Sequence, residues 1–211
     1  MSREPYVQKL KQHGMNHVYL SLNGVDRDDW YEAIDEMPCA EKKLQALDNL
    51  QRNRFIIQTG TIIVQGINEE APGRLLHTFK KYGVENVVMR IKNVGQLGRH
   101  MNGVDENIKM EGLMQLCSDQ LGVTMDYLEQ WRTKPIVDWL EPELNSFMFP
   151  LNPASAGKPL NRSGIWVKIA NWDTENEEQI PSPNSLRRGR LTEDFKVAPF
   201  FEHVKLNEGG Y

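Results

Sequence analysis

The chain has 211 residues, with 25 Lys plus Arg against 29 Asp plus Glu and a formal net charge of −4, a balance that argues against a surface built to coat nucleic acid or an anionic membrane. At 39% hydrophobic and 26% charged, it has the make-up of a folded globular protein rather than a disordered one. No apolar run approaches the roughly 18 residues of a membrane-spanning helix, and MSREPYVQKLKQHG holds no apolar signal core, so the expected location is cytoplasmic. Cys39 and Cys117 are too few for a disulfide framework and too far apart for a CxxC-type metal site, and reduced thiols fit that compartment.

In chain order, residues 5–13 open with Pro5 at a helix start, place Tyr6, Val7 and Leu10 on one side, and stop at Gly14, a favourable residue for a helix end. HVYLSL, residues 17–22, reads as a strand ending at Asn23-Gly24. Helical spacing returns over 41–52, where Leu44, Leu47 and Leu50 mark one face. Residues 55–64 form a long β-branched run ending near Gly66. A third helix over 72–82 presents Leu75, Leu76 and Phe79 and is closed by Gly83, and 87–91 reads as the next strand. Strand, helix, strand, helix, strand is the grammar of an α/β fold with parallel strands and covering helices.

An internal echo agrees with this. KQHGMNHVYLSL from Lys11 and KKYGVENVVMRI from Lys80 both run from a basic helix end through Gly and three residues into a strand, as repeated β/α units do. The strands end in SLNGVD, VQGINEE and KNVGQLGRH. Ligands of parallel α/β sheets lie at the carboxyl ends of strands, so the site is expected there. Alternation puts Tyr19, Ser21 and Asn23 on one face, with Val18, Leu20 and Leu22 on the other. Arg90 and Lys92 hold the matching places in the echo. Gln58 and Gly60 are the corresponding positions in the middle strand, where Thr59 and Thr61 compete.

Beyond about residue 104 the pattern changes, which divides the chain into a core, 1–104, and a helical and irregular C-terminal extension, 105–211. Residues 106–121 and 124–131 read as helices, the second capped by Thr124. Pro142, Pro150, Pro153 and Pro159 punctuate an irregular stretch, and 165–172 alternates as one strand. Phe195, Val197, Phe200 and Phe201 make the last segment too aromatic for a plain disordered tail, so it is expected to pack on the core.

From Gly14 to Met101, about 90 of the 211 residues, the chain resembles the second half of the core domain of the radical S-adenosylmethionine (radical SAM) family. HVYLSLNGVD is similar to that family's fourth strand with its V-S-L-D-G ending, followed by the helix EKKLQALDNLQRN. FIIQTGTIIVQGIN is similar to the fifth strand with its G-x-N turn, and VVMRIKNVGQLGRH stands where the sixth belongs. The resemblance implies a partial (β/α) barrel, S-adenosylmethionine (SAM) as cofactor, and a 4Fe–4S cluster that cleaves it reductively. The cysteine signature C-x-x-x-C-x-x-C that holds such a cluster is absent from this chain, which has two cysteines. Metal ligation by this chain is therefore not expected, and the resemblance implies a cluster-bearing N-terminal half encoded upstream.

By the same resemblance, Ser21 and the weaker Asn23 contact SAM, with Ile62 and Val64 as an apolar wall for adenine. Gln58 points at the substrate, and Arg90 and Lys92 face the lumen and hold an anionic group. Ser21 and Asn23 have a second reading as turn residues that satisfy backbone groups, and Arg90 and Lys92 as solvated edge residues. Gly95-x-x-Gly98-Arg99-His100 reads either as an anion cradle or as a plain loop. Arg187, Arg188 and Arg190 read as phosphate contacts or as a solvated turn offset by Glu193 and Asp194, and His100 and His203 have no partner at metal-ligand spacing. Three functions follow: the SAM- and substrate-facing half of a radical SAM enzyme; a non-catalytic half-barrel that binds a nucleotide or a partner protein; or, least favoured by the net charge, a nucleic-acid-binding module using the late Arg cluster. In every case the strand at 17–22 lies at an open edge, and Tyr19 and Ile62 are expected to be wetter than their types suggest.

Overall fold

The computed structural model describes residues 1–94, 108–134, 146–152 and 164–171, together with the backbone of 190–191 and 197–198. Helix α1 (Glu4–Gln12) starts on Pro5, has Glu4 in its first turn and Lys9 and Lys11 in its last, all favourable to the helix dipole. Gly14, at φ 83, turns the chain into β1 (His17–Ser21), where a residue with a Cβ would be strained. Then come α2 (Asp28–Asp35), α3 (Ala40–Arg52), β2 (Ile56–Ile63), α4 (Ala71–Lys81) and β3 (Asn86–Asn93). Helices α5 (Met110–Leu121) and α6 (Met125–Arg132) follow, then strands β4 (Ser146–Pro150) and β5 (Gly164–Ala170). Thr124 caps α6 by accepting from the Tyr127 N–H. A two-residue antiparallel pair, β6 (Arg190–Leu191) and β7 (Val197–Ala198), completes the described chain.

The five main strands form one sheet in the order β1-β2-β3-β5-β4. The pairs β1–β2, β2–β3 and β3–β5 are parallel, and β4 runs antiparallel on the outer side of β5. The chain is thus a mixed α/β protein with a mostly parallel sheet. Each parallel step moves in one direction along the sheet, and right-handed crossovers then place the connecting helices on one face. The core agrees: Leu20, Ile57, Met89, Ile91, Val167 and Ile169 of the strands cluster with Leu47, Leu50, Leu75, Phe79, Leu113 and Leu128 of the helices. Burying each such side chain favours the fold by about 1.5–3 kcal/mol over leaving it in water.

Two features differ from the sequence reading. Helix α2 was not read from the sequence, although Trp30, Tyr31 and Ile34 fall at helical spacing; Arg27 and Arg74 lie over Trp30 at 4.9 and 5.5 Å. The stretch read as irregular contains β4, with Phe147 and Phe149 on the core side. Pro150 is tolerated in it because β4 is an edge strand, where a missing N–H costs no ladder bond. The sheet and the apolar core also continue on both sides of residue 104, since β5 pairs with β3 along Asn86 to Lys92. The boundary itself lies outside the described residues, as do Gly95, Gly98, Arg99, His100, Trp172, Arg187, Arg188, Phe195, Phe200, Phe201 and His203. None of the described helices is long and apolar enough to cross a membrane.

Candidate ligand-binding face

Opposite the helices the sheet presents a second face whose rows follow from the register. Tyr19 lies beside Gln58, then Val88 and Trp166. In the next row Ser21, Gly60, Arg90, Lys168 and Met148 run across all five strands. Ile62, Lys92, Ala170 and Ser146 follow. The structure therefore brings Ser21, Gln58, Ile62, Arg90 and Lys92 onto one face, and it adds Lys168. The alternation Ile-Val-Ile against Trp-Lys-Ala in 165–170 held the signal for Lys168, but only its strand partner shows that it stands beside Arg90.

Asn23 and Val64 are placed differently. Asn23 is buried; its Oδ1 accepts from the Ile62 N–H at 3.0 Å, its Nδ2 donates to Asp35 Oδ1 at 2.8 Å, and its carbonyl accepts from Asn68 Nδ2 at 2.9 Å. Val64 opens the turn after β2, where its N–H donates to Asn68 Oδ1 at 2.7 Å. Asn68, 0% exposed, donates also to the Ile62 carbonyl at 2.7 Å. Asn23 and Asn68 thus clamp the carboxyl ends of β1 and β2 together, satisfying backbone groups that the turns would otherwise leave unpaired. Asn68 is the Asn of the QGIN turn, and its clamping role was not read from the sequence.

Arg90 is 7% and Lys168 2% exposed, while Lys92 is partly buried. Facing residues on neighbouring strands stand about 4.8 Å apart, and same-face residues along one strand about 6.6 Å, so the three basic residues arise from adjoining positions of the sheet. Arg90 Nη1 donates to the Tyr19 hydroxyl at 3.0 Å, and its guanidinium carbon lies 6.0 Å from the Tyr19 ring centre. Tyr19 reaches it by lying over Gly60, where a Cβ would fall 1.7 Å from the phenol oxygen. Burial, and then the charge of Arg90, hold the Lys92 ammonium down to about 7. The other described members of this face named above are uncharged.

The two thiols do not fit a cluster. Cys117 is fully buried in α5, where burial pushes its thiol up to about 12, and Cys39, just before α3, is also raised by burial. Cluster ligation requires several thiolates side by side. Among the described residues no group of three or more His, Cys, Asp or Glu could hold a metal ion. No protein-family model matches the chain, and no curated protein matches it.

Proposed function

We propose that this chain is the SAM- and substrate-facing half of a radical SAM enzyme, a partial (β/α) half-barrel acting with a cluster-bearing half encoded upstream. One observation supports this above all others: Ser21, Gln58, Arg90 and Lys92 share a single face of consecutive parallel strands, while the core helices pack against the opposite face. In (β/α) barrels ligands lie at the carboxyl ends of the strands, and Ser21 and Lys92 stand at or near the ends of β1 and β3. The Ser21 hydroxyl both donates and accepts, which suits a ribose or an amino-acid carboxylate. Ile62, two residues beyond Gly60, offers an apolar surface for a purine. Arg90 and Lys92 supply the cations for an anionic group, Arg90 with a forked donor and Lys92 with a compact charge. Among the described residues no group of three or more His, Cys, Asp or Glu could hold the cluster, so its ligands would come from the upstream half.

A second reading, a non-catalytic module for a nucleotide or a partner protein, is favoured by the core position of Cys117. Equilibrium binding separates the two. SAM should bind the full chain saturably, and Ser21→Ala and Arg90→Met should each weaken it about tenfold, equivalent to about 1.4 kcal/mol. Mixing with the upstream product and dithionite under anaerobic conditions should then release 5′-deoxyadenosine. Binding of AMP or ATP without binding of SAM would instead establish the module and overturn the enzyme.

A further inference from the structure

We infer that the outer edge of β1 is a dimerisation surface, on which a second copy of this chain adds its own β1 in the antiparallel sense and joins the two sheets into one. This is independent of the SAM reading, which says nothing about self-association. The Ile56 N–H donates to the Asn16 carbonyl and the Leu22 N–H to the Gly60 carbonyl, each at 2.8 Å. Successive residues of a strand turn their backbone groups to opposite sides. Asn16, Val18, Leu20 and Leu22 therefore address β2, while Tyr19 and Ser21 direct their N–H and C=O groups outward. Among the described residues no strand pairs with β1 on that side, and such an edge is a template for another strand.

The two edges of the sheet are guarded differently. β4 carries Pro150, which cannot donate to a further strand. β1, with the sequence HVYLS, holds no Pro, Lys, Asp or Glu, the residues that commonly protect an edge. Its largest side chain leaves the edge bare, because Tyr19 leans the other way, over Gly60 to Arg90. Met15 and Ile56, 43% and 48% exposed, flank the amino end of β1 and gain from being covered. Charge selects the occupant and its direction. Lys9 and Arg54 are exposed at the amino end, where Lys11 donates to the Arg54 carbonyl at 3.0 Å. Beyond the carboxyl end, α2 exposes Asp28, Asp29, Glu32 and Asp35, and Arg27 beside them is paired with Asp29. An antiparallel copy brings the basic end of each chain to the acidic end of the other, whereas a parallel copy sets like charge against like. A two-fold axis at Tyr19 satisfies this with one patch used twice. Two five-residue strands bury less than a standard interface, so the dimer is expected to form in the micromolar range.

Sedimentation velocity of the full chain across the micromolar range should show monomer passing to dimer, and raising the salt from about 0.05 to about 0.5 M should weaken the dimer several-fold. Tyr19→Pro removes an outward N–H without touching a bond to β2, and should weaken dimerisation about tenfold or more. Tyr19→Ala keeps that N–H and should change it by less than about threefold. Because the proline variant can fail to fold, amide exchange on the native chain supplies an answer that needs no variant. The Tyr19 and Ser21 amides should exchange fast in dilute solution and slowly in concentrated solution, with Val18 and Leu20 protected in both. A monomer at every concentration, an undiminished dimer in a folded Tyr19→Pro, or slow exchange at Tyr19 and Ser21 in the monomer would overturn the inference, the last because the chain would then cover this edge itself.

Discussion

Tyr19 and Arg90 stand on strands separated by a third, yet Arg90 Nη1 donates to the Tyr19 hydroxyl at 3.0 Å across the bare backbone of Gly60. Tyr19 is 50% exposed, so the apolar core does not hold its ring in place. The hydrogen bond to a charged donor and the gap at Gly60 hold it. In Gly60→Ala the phenol must swing away, because the new methyl would occupy its place. The expected cost is about 1–2 kcal/mol, the worth of one hydrogen bond to a charged group. In a Tyr19→Ala background the same substitution should cost nothing. A double-mutant cycle by urea unfolding measures the coupling, and additive costs would show that Tyr19 is not held this way.

Asn68 joins three backbone groups through one amide: it donates to the Asn23 and Ile62 carbonyls and accepts from the Val64 N–H. Asn68→Asp keeps the shape and removes the donor, so two buried carbonyls lose their partner and face a carboxylate. A loss of about 3 kcal/mol or more is expected at neutral pH, partly recovered at acid pH as the new carboxyl protonates. Denaturant midpoints at pH 4 and pH 7 report it; equal midpoints for Asp and Asn at pH 7 would contradict the clamp.

Lys92 links stability to pH. Its ammonium is held at about 7, against an ordinary 10.5, by burial first and by Arg90 second. Between those two values the unfolded chain binds a proton at this residue that the folded chain does not, so unfolding takes up protons and this group's contribution to stability rises with pH. Below about 7 both states are protonated and the contribution is flat at its least favourable. The difference in unfolding free energy between the native chain and Lys92→Met should therefore shift in favour of the native chain from pH 7 to pH 10. Parallel profiles over that range would show that Lys92 is well hydrated.

The two thiols should differ in reactivity. Cys117 is fully buried and its thiol is pushed up to about 12, while Cys39 is partly exposed and raised mainly by burial, with Lys43 opposing. Alkylation with iodoacetamide at pH 8, read by peptide mass spectrometry, should label Cys39 more slowly than a free thiol and leave Cys117 unlabelled until denaturant is added. Comparable labelling of Cys117 in the native chain would place it outside the core.

Local chemistry made much of the first part of the fold legible. Gly14 and Gly83 end α1 and α4 in the left-handed conformation, at φ 83 and 63, and the spacing of Leu47, Leu50, Leu75 and Phe79 gives α3 and α4 their buried sides. Period-two alternation likewise fixes that Arg90 and Lys92 share a side of β3 and that Tyr19 and Ser21 share a side of β1, whatever their neighbours. Which strands become neighbours is another matter, because pairing is settled by the free energy of burying one common apolar face, a sum over residues far apart in the chain. That sum places β5 beside β3 and so brings Lys168 opposite Arg90, and it turns a proline-punctuated stretch into the edge strand β4. It also takes Asn23 into a backbone clamp with Asn68, because the facing carbonyl and N–H groups at the ends of β1 and β2 need partners that only their meeting creates.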